Sequence, residues 1–185
     1  MKTYKIKDLM VPMSEYATVS EEATLYEAVL ALEKAQEEFD HTRYRHRAVL
    51  ISDRPGHVVG KLSQLDVLRA LEPKYREMQA GGGIGRFGFS RQFMKSMLEQ
   101  YRLLDSPLRE ICRKAADQKV KAIMYTPSEG EYVDEEAGLD EAIHQLVLGH
   151  HQSLLVTRED QIVGILRLTD VFAAVFHAMK ACKLD

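Results

Sequence analysis

Val58-Val59-Gly60-Lys61-Leu62-Ser63-Gln64-Leu65-Asp66 returns, imperfectly, as Ile162-Val163-Gly164-Ile165-Leu166-Arg167-Leu168-Thr169-Asp170. In each copy an apolar pair, a glycine and a further apolar residue suit a buried strand, and the polar residues behind them open a helix. The exit of the first copy is Ser-x-x-Asp, which has two readings. One is a capping box, with Ser63 as N-cap and Asp66 in place of the usual Glu. The other is a cradle for a phosphorylated sugar, since the unpaired N–H groups and the dipole of a helix N-terminus favour anions. Recurrence of the whole stretch favours the cradle, and a repeat of this length decides the architecture before any single element does.

Sliding the chain on itself by 114 positions aligns Lys5–Ala28 with Lys119–Ala142 without a gap, with twelve identities in twenty-four positions. The glycine motifs align at 104 instead, so the first copy carries ten extra residues, expected within Glu37–Arg47. Each copy reads β-α-β-β-α. A short extended piece (Tyr16–Val19; Glu131–Val133) meets Ser20 or Asp134 as a helix N-cap. Leu25, Ala28, Val29 and Leu32, and again Leu139, Ala142, Ile143 and Leu146, follow at helical spacing. Ala48–Ile51 and Leu154–Val156 read as buried strands, and Leu65–Leu71 and Thr169–Met179 as closing helices. A basic-apolar segment ending in Leu9-Met10 or Ile123-Met124 leads into each copy. Three strands with two helices on one face leave the other face needing cover, which a second copy supplies. The expected class is α+β, two β-α-β-β-α repeats packed sheet to sheet, with units at 1–72, 73–106 and 107–185.

The middle unit fits neither repeat. Gly81–Gly88 is flexible by composition, while Phe93, Met97, Leu98, Tyr101 and Leu104 have the spacing of an amphipathic helix starting near Ser90 and ending before Pro107, its stripe expected to cover core. Gly83–Gly88 matches GxGxxG, but the fingerprint needs a preceding strand and Lys74–Gln79 is polar.

Of 185 residues, 45% are apolar and 29% charged, ordinary for a soluble globular protein. A net charge of −3 provides no basic field for nucleic acid. The N-terminus Met1–Lys5 leads into a charged segment and no apolar run has the length of a membrane span, so a cytoplasmic protein without membrane contact is expected. Cys112 and Cys182 have no ligand spacing and read as reduced thiols. His144, His150 and His151 lack acidic or cysteine partners at ligand spacing, so no metal is expected. Glu21-Glu22 and Asp134-Glu135-Glu136 are explained as first-turn acids, and neither GxSxG nor HExxH occurs, so no catalytic residue is assigned.

With these residues quoted, the chain resembles a tandem pair of cystathionine-β-synthase (CBS) domains, the Bateman module. The resemblance covers about 4–72 and 117–180 and rests on Lys7-Asp8-Leu9-Met10-Val11-Pro12, Thr18-Val19 and Gly60-x-Leu62-Ser63-x-x-Asp66. It implies pseudo-twofold packing with two clefts between the repeats, where relatives bind AMP, ADP, ATP or S-adenosylmethionine. Asp66 would then hold the ribose hydroxyls, Ser63 and Thr18, with Ala17 beside it, would lie near the phosphate, and the backbone of Arg47, Ala48 and Val49 would meet the adenine. In the second repeat Asp170, next to Thr169, matches the ribose aspartate. Arg167, however, stands where relatives carry Ser or Thr, and Tyr132 stands where the first repeat has Thr18. An arginine there either grips phosphate bidentately or fills the cleft, so the two clefts are expected to differ.

The resemblance thus implies a non-catalytic regulatory module that takes an adenine nucleotide as ligand rather than cofactor and signals to an effector protein or to its own oligomer. Its alternative is a ligand-free structural or interaction module, for which Arg167 and Tyr132 speak. The short tail Ala181–Asp185 leads to the expectation that no effector domain is fused. Related modules pair into a disc, and Val67, Leu68, Leu71, Val171, Val175 and Phe176 provide apolar faces for a homodimer.

Overall fold

The computed structural model describes residues 4–38, 45–72, 74–75, 90–102 and 111–181. The first repeat contains β1 (Val11–Pro12), β2 (Thr18–Ser20), α1 (Leu25–Glu38), β3 (Ala48–Ser52), β4 (Val58–Ser63) and α2 (Gln64–Leu71). Two helices of the connecting region follow, α3 (Arg91–Gln100) and α4 (Ile111–Asp117). The second repeat contains β5 (Tyr132–Asp134), α5 (Leu139–Gly149), β6 (Ser153–Arg158), β7 (Gln161–Arg167) and α6 (Leu168–Ala181). One sheet has the order β2-β3-β4 and the other β1-β7-β6-β5.

The middle of each central strand, Ala48–Ile51 of β3 and Leu154–Val156 of β6, is apolar because both its faces are covered. Alternation sends Val49 and Ile51 of β3 against α1 and α2 and sends Leu50 toward the other sheet; Leu154 and Val156 of β6 likewise face helices, while Leu155 meets Leu50. All six are at most 1% exposed, and full burial of such a side chain stabilises the fold by about 1.5–3 kcal/mol. This doubly covered arrangement is the sheet-to-sheet packing expected of the two repeats.

The lead-in segments are exchanged. Ile6 and Lys7 donate backbone hydrogen bonds to Ala137 and Glu135 of the second repeat, at 3.1 and 3.0 Å, and β1 pairs antiparallel with β7. Reciprocally, Val120 and Lys121 donate to Ala23 and Glu21 of the first repeat, at 2.9 and 3.2 Å, and Tyr125 bridges Lys61. Ile6 therefore sits in the second core and Val120 in the first. The exchange explains the paired Met and Gly of the repeat: a Cβ at Gly164 would stand 2.7 Å from both Met10 Sδ and the Val11 carbonyl, and one at Gly60 would stand 2.6 Å from Met124 Sδ and 3.1 Å from the Tyr125 carbonyl. Gly164→Ala is expected to destabilise by about 1–3 kcal/mol in denaturant titration. Gly60→Ala should cost less, because its closest contact is a flexible thioether rather than backbone.

The helix caps differ from the sequence reading. Ser20 and Asp134 accept from the N–H groups of Glu22 and Glu136, at 3.3 and 2.7 Å, and so close a tight turn, while α1 and α5 begin at Leu25 and Leu139. Thr24 caps α1, its hydroxyl accepting from Glu27 N at 3.2 Å while the Glu27 carboxylate accepts from Thr24 N at 2.6 Å. The strand registers pair Ala48 with Ser63 and Ser153 with Arg167, which leaves one of the ten extra residues in the β3–β4 turn; of the other nine, three lengthen α1, of 14 residues against 11 in α5, and six lie between α1 and β3; residues 39–44 of that stretch lie outside the described residues.

Ser90 caps α3 as expected, accepting from Phe93 N at 3.1 Å. No described residue of α3 is buried, with Phe93 38% and Met94 45% exposed, so the stripe does not cover core there. The GxGxxG match, Leu104 and Cys182 lie outside the described residues. The helix α4 has no counterpart in the sequence reading. It packs on α1 and α2, with Ala115 against the first core, and Lys114 Nζ donates to the Leu71 carbonyl at 3.2 Å.

Candidate functional site

The residues singled out in the first repeat gather at one end of its sheet. Ala17 precedes β2 and its carbonyl accepts from Leu50 N at 2.9 Å; Thr18 pairs with Leu50, and Ala48 with Ser63. The Arg47 carbonyl accepts from Gln64 N at 2.9 Å, which ties the entry of β3 to the first turn of α2. Thr18 and Arg47 are exposed, while the side chains of Ala48 and Val49 are buried. The Ser63–Asp66 capping box is present. Asp66 Oδ2 accepts from Ser63 N at 2.9 Å and from Ser63 Oγ at 2.6 Å, and Ser63 Oγ accepts from Asp66 N at 3.2 Å. That uses one carboxylate oxygen. The other faces the half-exposed Arg69, whose Nη1 is 3.3 Å away.

Two hollows adjoin this end of the sheet. One of about 240 Å³ is lined by Asp66, Arg69 and Ala70 of α2 and by Ala122–Tyr125 of the exchanged lead-in. The other, of about 510 Å³, is lined by Ser14–Thr18 and by Ala31, Lys34, Ala35 and Glu38 of α1. Asp66 thus opens on one hollow, and Ala17 and Thr18 on the other.

The second repeat has the same backbone and a different side-chain arrangement. Tyr132 pairs with Leu155, Ser153 with Arg167, and Leu168 N donates to the Gln152 carbonyl at 3.0 Å. Arg167 takes the place of Ser63 and lies flat on Asp170: Nε donates to Oδ2 and Nη2 to Oδ1, both at 2.6 Å. The guanidinium is buried, and its Nη1 lies 3.4 Å from Nδ1 of the buried His46 in the first repeat. The Tyr16 ring meets His46 edge to face, with centroids 4.5 Å apart, and burial pushes the Tyr16 phenol up to about 12. Thr169 is half-buried in the first turn of α6, and Tyr132 packs in the cluster between the sheets.

A model of the CBS domain matches residues 6–73 and 120–177. The chain belongs to the CBS domain family. Its fold is similar to that of the CBS-pair protein CBSX2 from Arabidopsis thaliana, at 17% identity and a TM-score of 0.59, covering 98% of this chain and 100% of that one. CBSX2 crystallised in complex with AMP aligns at 19% identity and a TM-score of 0.58, over 94% of this chain and 97% of that one. A CBS domain-containing protein from Bacillus anthracis aligns at 16% identity and 0.59, over 94% of each chain. Among curated proteins, no sequence matches. The chain is thus a CBS pair, a module of regulatory type.

This CBS pair also holds a polar cluster that the sequence reading missed. Glu131, 1% exposed, receives an ion pair from Lys61 of β4 and hydrogen bonds from the Tyr125 hydroxyl and from Ser128 N, the last at 3.1 Å. His151 Nδ1 lies 3.9 Å away. Burial alone would raise the Glu131 pKa, but the Lys61 ammonium, the Tyr125 hydroxyl and the Ser128 N–H together hold it below the usual carboxylate value. Repeat alignment puts Ile165, Val11 and Ala17 opposite Lys61, Tyr125 and Glu131, so the cluster replaces an apolar contact in the pseudo-equivalent place. Among the described residues, no group of three or more His, Cys, Asp or Glu is arranged to hold a metal ion.

Proposed function

We propose that this CBS pair is a non-catalytic sensor that binds an adenosine derivative at the Asp66 end of its first repeat and passes the bound state on through its own oligomer or an effector protein. The observation that carries the reading is the state of the two aspartates. Asp66 lines a hollow and has one oxygen toward a half-exposed arginine, whereas both oxygens of Asp170 are clamped by Arg167. A carboxylate at a helix start with a free lone-pair side can accept from both hydroxyls of a ribose. CBSX2 in complex with AMP supports a nucleotide as the ligand class. Equilibrium dialysis against AMP, ADP, ATP and S-adenosylmethionine tests the reading: saturable binding of at least one supports it, and no binding of any at millimolar ligand leaves the ligand-free interaction module, which the clamped Asp170 favours.

The same reading includes a homodimer, with its face shifted from the sequence expectation. Leu71 and Val171 are buried under their own sheets, at 9% and 4% exposure. The exposed apolar rim runs instead along Leu65 and Leu68 of α2 and Leu168, Phe172, Phe176 and Met179 of α6. Exposed apolar rims of this kind on two helices call for a partner. Light scattering is expected to give twice 21.1 kDa, falling to the monomer mass in Phe172→Glu/Phe176→Glu. A wild-type monomer across a wide concentration range removes the dimer from the account.

A further inference from the structure

We propose that Arg167 is a built-in plug of the second cleft: its guanidinium occupies on Asp170 the place of a ribose diol, so that the cleft excludes nucleosides and opens only to a ligand whose phosphate draws the guanidinium away. The inference rests on the reading that these clefts take adenosine derivatives.

The geometry is that of a closed pair. Arg167 Nε and Nη2 meet the two Asp170 oxygens in parallel at 2.6 Å, and Arg167 N donates to Asp170 Oδ2 at 3.2 Å. The two side chains are 6% and 11% exposed. The fork is wedged from the far side by His46, which is fully buried and belongs to the other repeat. In the first repeat the corresponding Ser63 reaches only one oxygen of Asp66. The same acceptor therefore stands at the same backbone position in both repeats, with one oxygen toward a half-exposed arginine in the first and both oxygens held by a buried one in the second.

A neutral ribose has little with which to lift the cover, because its hydroxyls would have to replace a charge-assisted bidentate pair and separate a buried guanidinium from the Asp170 carboxylate. A phosphate takes the place of that carboxylate. It matches the guanidinium fork as well as a carboxylate does, and once it holds Arg167 both oxygens of Asp170 are free for the sugar hydroxyls. One ligand carrying both groups thus exchanges one closed pair for two contacts of its own, while adenosine alone finds the second cleft shut.

Calorimetric titration of adenosine and AMP into the wild type and Arg167→Ser tests the plug, since the variant recreates the Ser-x-x-Asp of the first repeat and keeps an N-cap for α6. In the wild type, adenosine is expected to fill one site per chain and AMP two, the weaker AMP site losing affinity as salt is raised. In Arg167→Ser, adenosine should fill two sites, and the second AMP site should weaken at least tenfold. Adenosine filling two wild-type sites, AMP filling no more sites than adenosine, or the variant taking up no more adenosine than the wild type overturns the plug. If the wild type takes no adenosine and one AMP while the variant takes one adenosine, the proposed function at Asp66 fails and the plug stands. Should the variant not fold, the Nε–H resonance of Arg167 in the wild type decides: it should shift with AMP and stay in place with adenosine, and an equal shift with both contradicts the proposal.

Discussion

Asp66→Ala should lower affinity at the tighter AMP site by about ten- to a hundredfold, because it removes charge-assisted hydrogen bonding worth about 1.5–3 kcal/mol in total. The same substitution dismantles the Ser63–Asp66 capping box, which costs about 0.5–2 kcal/mol of stability whatever the ligand does. The two effects separate by measurement. Calorimetry reads affinity, while denaturant unfolding without ligand reads the cap. Asp66→Asn keeps an acceptor for the Ser63 N–H and loses the charge, so it should recover most of the stability and little of the affinity. If Asp66→Ala binds AMP as the wild type does while losing stability, Asp66 is a cap and nothing more.

The second large effect is expected at the cluster between the repeats. Lys61→Met leaves the Glu131 carboxylate buried beside only neutral donors and His151, and breaking a buried pair in this way costs about 3–5 kcal/mol. The double variant Lys61→Ile/Glu131→Ala installs the residues that the other repeat has in those places, Ile165 and Ala17, and should recover most of the loss. The pH dependence has a definite sign. Because the folded-state pKa of Glu131 lies below its unfolded value near 4.5, the carboxylate contributes its full stability above that value and loses it as pH falls through the folded pKa. Acid titration of unfolding should therefore show a steeper loss below about pH 4.5 in the wild type than in the double variant. A double variant as unstable as Lys61→Met, or one with an unchanged acid profile, would contradict this role for the pair.

Most of the architecture was legible because the repeat reports it twice. The Met10/Gly164 and Met124/Gly60 correspondences were visible as recurring letters, but their partnership across the repeats was not, since nothing in the order of residues tells which copy a lead-in segment joins. The caps were misassigned because Ser20 and Asp134 are good N-cap residues placed before a turn rather than a helix, and the choice of Thr24 depended on Glu27 reaching back. Of the residues singled out for the clefts, Asp66 and Asp170 occupy equivalent backbone positions; that Arg167 sets them apart was legible, but its closing over both oxygens of Asp170 required side-chain geometry. The buried cluster was recoverable in principle. Three aligned positions change together from Val11, Ala17 and Ile165 to Tyr125, Glu131 and Lys61, which signals a polar contact replacing an apolar one. His46 and Tyr16 gave no such signal, because their burial depends on where Arg167 of the other repeat comes to rest.

The binding of an adenosine derivative is tested most directly by thermal unfolding of the wild-type chain with and without AMP. Ligand at a hundred times its Kd should stabilise the fold by about 2.7 kcal/mol, which for a chain of this size raises Tm by roughly 5–10 °C. A dose-dependent rise of that size for AMP and its relatives, larger than for GTP at equal concentration, is the predicted result. An unchanged Tm with AMP, ADP, ATP and S-adenosylmethionine at millimolar concentration would contradict it.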